Sequence, residues 1–577
     1  MNIKCFISNI VKKTILKIGI TDTFDPMIKI IQKKNLGHYQ SNGIMHLAYI
    51  KKIEPVKFAK KIVKLIPLSC IFIKICVISP GFVNFYINQK WIEDNINKIF
   101  YKTRLGIKKL IPKTVIIDYS SPNVAKDMHI GHLRSTILGD VSARIAEFLG
   151  HKVIRANHIG DWGTQFGMII ALYEEQNPSF KKKKMKLEII EKLYQKSKKK
   201  FEQEKKFSEK ARWYVTRLHQ KDPYVLRIWK KIVSTTITSH SKIYKKLNIT
   251  LQKKDIKGES EYHNMIPNVI KELKNKKIAT VVDGSTIILL EEYKNRQGLP
   301  MGIVIQKQDS AFLYATVDIA CLKYRCQTLQ AHRILYYTDS RQAQYLQQIT
   351  TIGRKAGYIK SKTKIEHHMF GMVLSKDKKP FKTRDGKNIK LNQLLKTAVK
   401  KSLYLTQKKN STLSKYQLYS ISKKIGIGAV KYSDLSRNRL TDYIFDWDNM
   451  ISFHGNTAPY IQYTYTRILS ILKKINNNVK TIQQPIILNN HTESELSLKI
   501  LQFEETIHEV FNFGLPHILC SYLYQLSVLY SSFYEKHSVL HIQNEKIKNS
   551  RLKLSYLTAK TIKKGLHLLG IQTMKKM

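Results

Sequence analysis

From Thr114 onward the chain alternates β-rich runs with helical ones, and this alternation restricts the fold more than any other feature. "TVIIDYS" (114–120) is a short β-rich run. After a loop, Leu133, Ile137, Ile145 and Leu149 share one face of a helix expected from about Leu133 to Leu149. "KVIRAN" then reads as strand and "TQFGMIIALYEE" as helix. Much later "RILYYTDS" is a strand and "AQYLQQITTIGRKAG" a helix closing at Gly357, glycine being common just past a helix end. Strands alternating with helices imply a doubly wound parallel sheet. Between the two halves, residues 177–295 form an expected insertion. Its lysine runs, "KKKKMK" and "KSKKKFEQEKK", suit solvated helix faces or an RNA-facing surface.

Two flanking regions differ in pattern. Residues 1–113 open with a helical pattern and end in β-rich runs, "CIFIKICVIS" and "FVNFYI", around a Pro80-Gly81 turn. They predict a small α+β module. Residues 391–577 are helical in period, as in "SRLKLSYLTAKTIKKGLHLLG", with lysines along one face, leucines along the other and Gly570 as a stop. A chain of 577 residues exceeds what one core serves. The expected architecture is therefore multidomain α/β: an N-terminal α+β module (1–113), a Rossmann-like domain with a doubly wound parallel sheet (114–390) and a C-terminal all-α helical bundle (391–577).

Composition excludes several classes. A hydrophobic share of 43 % rules out a disordered chain. The six cysteines form no CxxC pair and no zinc-ligand array, so reduced thiols in a cytoplasmic protein are expected, with no structural metal. No apolar run reaches membrane-spanning length, which argues against a membrane partner. Lys4, Lys12, Lys13 and Lys17 sit among apolar residues at helical spacing, the mark of an amphipathic helix and not of a signal peptide. The net charge of +58 makes a polyanion such as nucleic acid the first partner to consider, although part of it belongs to a general Lys/Ile/Asn bias.

The candidate site begins at "SSPNVAKDMHIGHLRSTILGD" (120–140). Ligands of open α/β sheets sit beyond the carboxyl ends of the strands. This loop occupies that position and feeds a helix whose free N–H groups and partial positive charge suit phosphate. His129 and His132 can donate to phosphate oxygens, Lys126 adds a fixed charge, and Gly131 lets a nucleotide approach the backbone. On these grounds alone the loop is a nucleotide site; capping or packing histidines are the bland alternative.

The loop resembles more than a generic site. His129-Ile130-Gly131-His132 is similar to the HIGH signature of class I aminoacyl-tRNA synthetases, within a segment comprising Pro122, Asn123, Val124, Ala125, Lys126, Asp127 and Met128. With "HKVIRANHIGDWGTQFG", "LYATVDIACLKYR", "HHMFGMVLSKDKKPFKTR", "YIFDWDNM" and "NTAPYIQYTYTR", in that order, the whole chain resembles the arginyl-tRNA synthetase family. The resemblance implies that arginine's carboxylate attacks the α-phosphate of ATP, supplied with Mg2+ as a substrate complex. The arginyl group then passes to the 2′-hydroxyl of the terminal adenosine of tRNA(Arg), and activation typically requires bound tRNA. His129 and His132 would meet the ATP phosphates.

Where the class carries a KMSKS loop, this chain has "PFKTR" (380–384). The usual second lysine is missing, and the family's logic assigns compensation to Lys126. Lys382 and Arg384 are candidate contacts for pyrophosphate. By the same resemblance Asp118 and Asp318 would hold the substrate guanidinium, with Tyr314 beside it. Asn123 and Gln342 would hold the amino-acid backbone, with Ser121 and Glu259 as further candidates. Asp318 and Tyr314 are also spaced as one face of a surface helix. A pocket that bonds the guanidinium rejects neutral analogues by ~10⁴–10⁵, so no editing site is expected.

The N-terminal module resembles the family's additional domain, which touches the tRNA elbow; Tyr39, Gln40 and Asn42 are its candidate contacts. The C-terminal bundle resembles the anticodon-binding domain, where Tyr460, Tyr463 and Tyr465 could stack on unpaired bases. All three cannot share one helical face, so at least one belongs to the core. The implied partners are tRNA(Arg), L-arginine and ATP, for a cytoplasmic enzyme expected to be a monomer. A synthetase for cysteine, a non-catalytic tRNA-binding paralogue and a small-molecule nucleotidyltransferase are the alternatives. The absence of zinc-ligand spacing, the intact histidine pair and the helical C-terminal region argue against them in turn.

Overall fold

A computed structural model describes residues 2–577 except 22, 32–33, 177–184, 296, 310, 376, 380–388, 410–412 and 476–478. In the N-terminal module the two β-rich runs form a hairpin, β3 (Phe72–Ile78) and β4 (Phe82–Ile87). It is extended by β2 (Tyr39–Ser41) and β1 (Ile28–Ile30) into an antiparallel sheet of order β1-β2-β4-β3. The first helix, Ile3–Lys17, buries Ile3, Ile7, Val11 and Ile15, a stripe three to four residues apart.

The chain divides into two compact units, and their boundaries differ from the expected three-part division. One unit joins residues 1–108 to 453–567 and 573–577. The N-terminal module is tied there to the C-terminal helices by polar contacts. Tyr39 Oη donates to Glu505 Oε1 at 3.1 Å and accepts from Gln502 Nε2 at 3.2 Å. Lys4 Nζ lies 2.7 Å from Glu509. The last helix, Glu545–Leu568, lacks the fully solvated lysine face expected of it. Lys553 is 2 % exposed and donates to the Gln484 carbonyl, and Lys560 donates to the carbonyls of Phe100 and Lys102. Their methylene stems pack while the ammonium groups find backbone oxygens.

The other unit, residues 109–452 with 568–572, holds the expected parallel sheet. Its strands are β5 (Thr114–Asp118), β6 (Lys152–Ile159), β7 (Ile256–Gly258), β11 (Arg333–Tyr336) and β12 (Lys364–His367), in the order β12-β11-β5-β6-β7. Strand β7 falls inside the segment expected as an insertion, yet it pairs with β6 through Asn157–Ile256 to Ile159–Gly258. A three-residue strand is too short to announce itself by alternation. Other described parts of that segment form the helices Leu187–Gln203, Lys205–His219, Pro223–Lys246 and Ile266–Asn275. It continues into an antiparallel sheet of β8 (Thr280–Val282), β9 (Ser285–Lys294) and β10 (Pro300–Gln306), which runs past residue 295. Strands β13 (Val373–Leu374) and β14 (Tyr443–Ile444) form a small parallel pair.

The helix after β5 spans Gly131–Leu149 and is buried nearly all round, not on one face. Arg134, Asp140 and Arg144 enter the interior with partners. Arg134 Nε lies 3.3 Å from Asp434, and its NH1 donates to the carbonyls of Gly371 and Thr441. Arg144 Nε donates to Asp140 at 2.7 Å. Periodicity locates this helix but not the burial of its polar face, because paired charges read as solvent-facing.

Candidate active site

Strand order reverses at β5: β6 and β7 lie on one side, β11 and β12 on the other. That reversal opens a crevice beyond the carboxyl ends of β5 and β11. The loop leaving β5 carries three non-glycine residues at positive φ, Ser120 (71°), Ser121 (41°) and Ala125 (66°). Such backbone is costly, and surrounding bonds hold it. Ser120 N donates to Ser135 Oγ, Ser121 N to Asn157 Oδ1 and Ala125 N to Thr236 Oγ1. The loop is also tied to the residues after "PFKTR": Ile130 N donates to the Ile389 carbonyl at 3.1 Å, and Leu391 N to that of Met128 at 2.9 Å.

The two histidine rings lie 4.0 Å apart, centroid to centroid. His129 Nδ1 accepts from Gly131 N at 3.1 Å, and His132 Nδ1 accepts from His129 N at 3.2 Å. An Nδ1 that accepts leaves the proton on Nε2. Each neutral ring thus has an Nε2–H donor. Burial, then the charge of Lys126, lowers the His129 pKa. Burial, then neighbouring imidazoles, pushes His132 down to about 3. Both rings are therefore neutral donors at physiological pH. Gly131 serves the ring beside it: an added Cβ would stand 2.9 Å from His129 Cε1. Its lack of a side chain admits His129, whereas the sequence suggested room for a nucleotide. Lys126 Nζ sits 4.9 Å over the Tyr194 ring, and its carbonyl meets His240 Nε2 at 2.9 Å. Asp127 Oδ2 is 3.5 Å from Lys390 Nζ.

Next to this loop lies a group of carboxylates. Asp118 ends β5, but both its oxygens are engaged: Arg325 NH2 donates to one at 2.6 Å and Ser121 Oγ to the other at 3.1 Å. The expectation that Asp118 clasps the guanidinium is corrected, since a buried arginine of the chain itself already occupies it. Asp318 Oδ2 accepts from Tyr345 Oη at 2.5 Å, and its other oxygen is 3.8 Å from His158 Nε2. Burial raises the Asp318 pKa. Glu259 has no ion-pair partner among the described residues. Burial, then the charges of Asp318 and Asp161, pushes it up to about 7. Asp161 is itself raised by burial and accepts from Ser260 N and Oγ. Asn123 belongs to the same corner, because a Cβ on Gly160 would stand 2.9 Å from Asn123 Oδ1 and 3.7 Å from Glu259 Oε1. Tyr314 begins the helix Tyr314–Lys323; it is 65 % exposed and packs its ring against Tyr345 at 5.3 Å. Gln342 is the N-cap of the helix Ala343–Lys355.

Arg325, Tyr345, His158 and Asp161 were not legible as site residues. His158 and Asp161 lie close together at the end of β6, but Arg325 and Tyr345 come from other elements, and no local spacing links the three segments. Lys382 and Arg384 lie outside the described residues. Among the RNA candidates Tyr39 is corrected: it is fully buried, a core residue bonded to Glu505. Gln40 Nε2 donates to Asn84 Oδ1, and Asn42 is the half-buried N-cap of the helix Gly43–Ile50. Tyr465 is 7 % exposed and is the core member of its trio. Tyr460 is half-buried against Tyr524, and Tyr463 is 46 % exposed. Among the described residues no group of three His, Cys, Asp or Glu could hold a metal, and no helix is long and apolar enough to cross a membrane.

A doubly wound sheet with paired HIGH histidines at its switch point fits the catalytic domain of a class I aminoacyl-tRNA synthetase, and comparison with known protein families places the chain in that class. The family described as "tRNA synthetases class I (R), catalytic domain" matches residues 95–447. The "Arginyl tRNA synthetase N terminal domain" matches 6–87, and the "DALR anticodon binding domain" matches 461–577. An arginine–tRNA ligase of Buchnera aphidicola subsp. Acyrthosiphon pisum is 53 % identical over 577 residues, the full length of both chains. The Plasmodium falciparum arginyl-tRNA synthetase structure superposes with a TM-score of 0.86 at 30 % identity, covering 100 % of this chain and 99 % of that one. The Thermus thermophilus arginyl-tRNA synthetase structure shares the fold, with a TM-score of 0.83 at 19 % identity over both whole chains. The chain belongs to the arginyl-tRNA synthetase family.

Proposed function

We infer that this chain is an arginine–tRNA ligase that activates L-arginine with MgATP and transfers it to the 2′-hydroxyl of the terminal adenosine of tRNA(Arg). The observation that carries this reading is the adjacency, at one switch point, of a carboxylate-rich corner and a pair of neutral imidazole donors. Glu259 and Asp318 suit a planar cation with five N–H donors. Asn123 and Gln342 would hold the amino-acid backbone. Arginine's carboxylate oxygen forms a bond to the α-phosphorus as the bond to pyrophosphate breaks. The Nε2–H groups of His129 and His132 stabilise charge developing on the phosphate oxygens. Lys126 adds a cation close enough to depress both imidazoles, and Lys382 and Arg384 are assigned to pyrophosphate. The transfer step breaks the mixed anhydride, forms the ester and releases AMP.

Asp118 acts in this scheme through others, orienting Ser121 and Arg325. The N-terminal module, through Gln40 and Asn42, is assigned to the tRNA elbow, and the C-terminal helices, through Tyr460 and Tyr463, to the anticodon. The six cysteines are free, which supports a reducing, cytoplasmic setting; the chain is taken to act as a monomer. ATP–pyrophosphate exchange with each amino acid, with and without tRNA, tests the reading. Exchange is expected with arginine, and only when tRNA is present. Exchange driven by another amino acid would overturn it.

A further inference from the structure

Two stretches of the catalytic unit carry no acidic residue at all. Residues 223–254 hold Arg227, Lys230, Lys231, Lys242, Lys245, Lys246, Lys253 and Lys254. Residues 391–433 hold nine lysines, among them Lys396, Lys423, Lys424 and Lys431. At the chain's own frequency of acids, 42 in 577, two such stretches are unexpected. The fold brings them together. A cavity of about 50 Å³ is lined by Lys245, Lys246, Lys423, Lys424 and Lys431, closed by Gly570–Gln572, and no carboxylate among the described residues lines it. Lys245 also borders a second cavity of about 510 Å³ along the helix Pro223–Lys246. Lys230, Lys242 and Lys253 rim that groove, and Trp229, Val233 and Ile237 floor it.

Burial, then the charges of Lys396, Lys423 and Lys242, lowers the Lys246 pKa, so the group repels itself. The buried member, Lys431, is accounted for: it donates to the carbonyls of Leu247 and Gly570 and thereby fixes the floor of the small cavity. The helix is 24 residues long, about 36 Å at 1.5 Å per residue. Its lysines fall in two groups, Lys230 and Lys231, then Lys242, Lys245 and Lys246, roughly 17–24 Å apart along the axis, a span that suits several phosphates and not a single anion. The apolar strip between them can take ribose faces.

We propose that this face is a docking track for the phosphate backbone of an RNA helical arm, with one phosphate seated between Lys245, Lys246, Lys423 and Lys424. It rests on the ligase reading only in that tRNA is the RNA supplied. Lys245 and Lys423 are exposed side chains, so reversing their charge spares the interior.

The test is a Lys245→Glu/Lys423→Glu double variant of the full chain, set against a charge-matched control, Lys271→Glu/Lys274→Glu, two exposed lysines on the helix Ile266–Asn275. Binding of a tRNA(Arg) transcript is followed by filter retention across 0.05–0.3 M salt (chosen range, roughly that over which counterion release is read). The expected result is a Kd at least about tenfold weaker than the control's. The slope of log Kd against log salt should also be smaller by about 0.9 for each phosphate that the variant no longer neutralises. Equal Kd and slope in the two variants, with unchanged melting temperatures, would overturn the proposal. So would loss of binding to anionic phospholipid vesicles with tRNA binding intact. Charging of tRNA by the unmodified chain is measured separately: its absence would sink the ligase reading, whereas normal charging with the two variants alike would sink only this inference.

Discussion

Replacing Glu259 with glutamine should separate the stability of the pocket from its use. Glu259 is raised from 4.5 to about 7 by burial and then by Asp318 and Asp161. Moving a carboxyl that far disfavours its ionised form by on the order of 3 kcal/mol. Water at the pocket mouth reduces the usable part to about 1–2 kcal/mol. The folded chain keeps a proton that the unfolded chain releases near 4.5, so the folded state binds more protons between the two values. The contribution is fully present below about 4.5, and stability declines as pH rises through 7. Glu259→Gln removes that decline, so at pH 8 the variant should be the more thermostable protein. It should also be the poorer enzyme. The substrate guanidinium draws Glu259 into its ionised form, and losing that partner raises the arginine KM by about 2–3 kcal/mol, roughly 30- to 150-fold. In the unmodified chain arginine binding expels the proton, so KM falls as pH rises toward 7 and is flat above it. The assay is initial-rate aminoacylation between pH 5.5 and 8.5, with differential scanning fluorimetry on the same samples. If Glu259→Gln keeps the wild-type KM and the same pH slope, Glu259 does not hold the substrate.

Other perturbations read different parts of the molecule. His132→Ala should abolish aminoacylation while tRNA binding, measured by filter retention, is unchanged. Because burial holds the His132 pKa near 3 and His129 below its usual value, this pair should add no inflection to the rate between about pH 7 and 8. Arg134→Met strands Asp434 in the interior, where burial already raises its pKa. Denaturant unfolding should show a loss of about 3–5 kcal/mol, part of it recovered by adding Asp434→Leu. Tyr39→Phe removes a donor from Glu505, itself pushed by burial to about 7. It should cost about 1–2 kcal/mol of stability with no separate effect on tRNA Kd. A tRNA defect without a stability defect would restore Tyr39 as an RNA contact.

What the sequence reveals of the site follows from how local each part is. The His129–His132 loop is contiguous and sits between a strand and a helix, so spacing exposes it. The long alternating runs around β5, β6 and β11 likewise announce a parallel sheet. The carboxylate corner is assembled from β5, the segment after β7 and the helix Tyr314–Lys323. Only proximity shows that Arg325 occupies Asp118 while Glu259, among the described residues, is left without an ion-pair partner. Burial is the other hidden quantity. Tyr39 in "GHYQSNG" looks like a surface turn, but an α+β module that packs against helices more than four hundred residues away turns it inward. Lys553 and Arg134 are misjudged for the same reason: a charged side chain with a paired head is indistinguishable in sequence from a solvated one.

The most direct measurement supplies the purified chain with MgATP, total tRNA and all twenty amino acids, then identifies the residue esterified to the recovered tRNA. Arginine, on tRNA(Arg) alone, is the expected result. A different amino acid on the tRNA, or no charging by a chain that still binds tRNA, would contradict it.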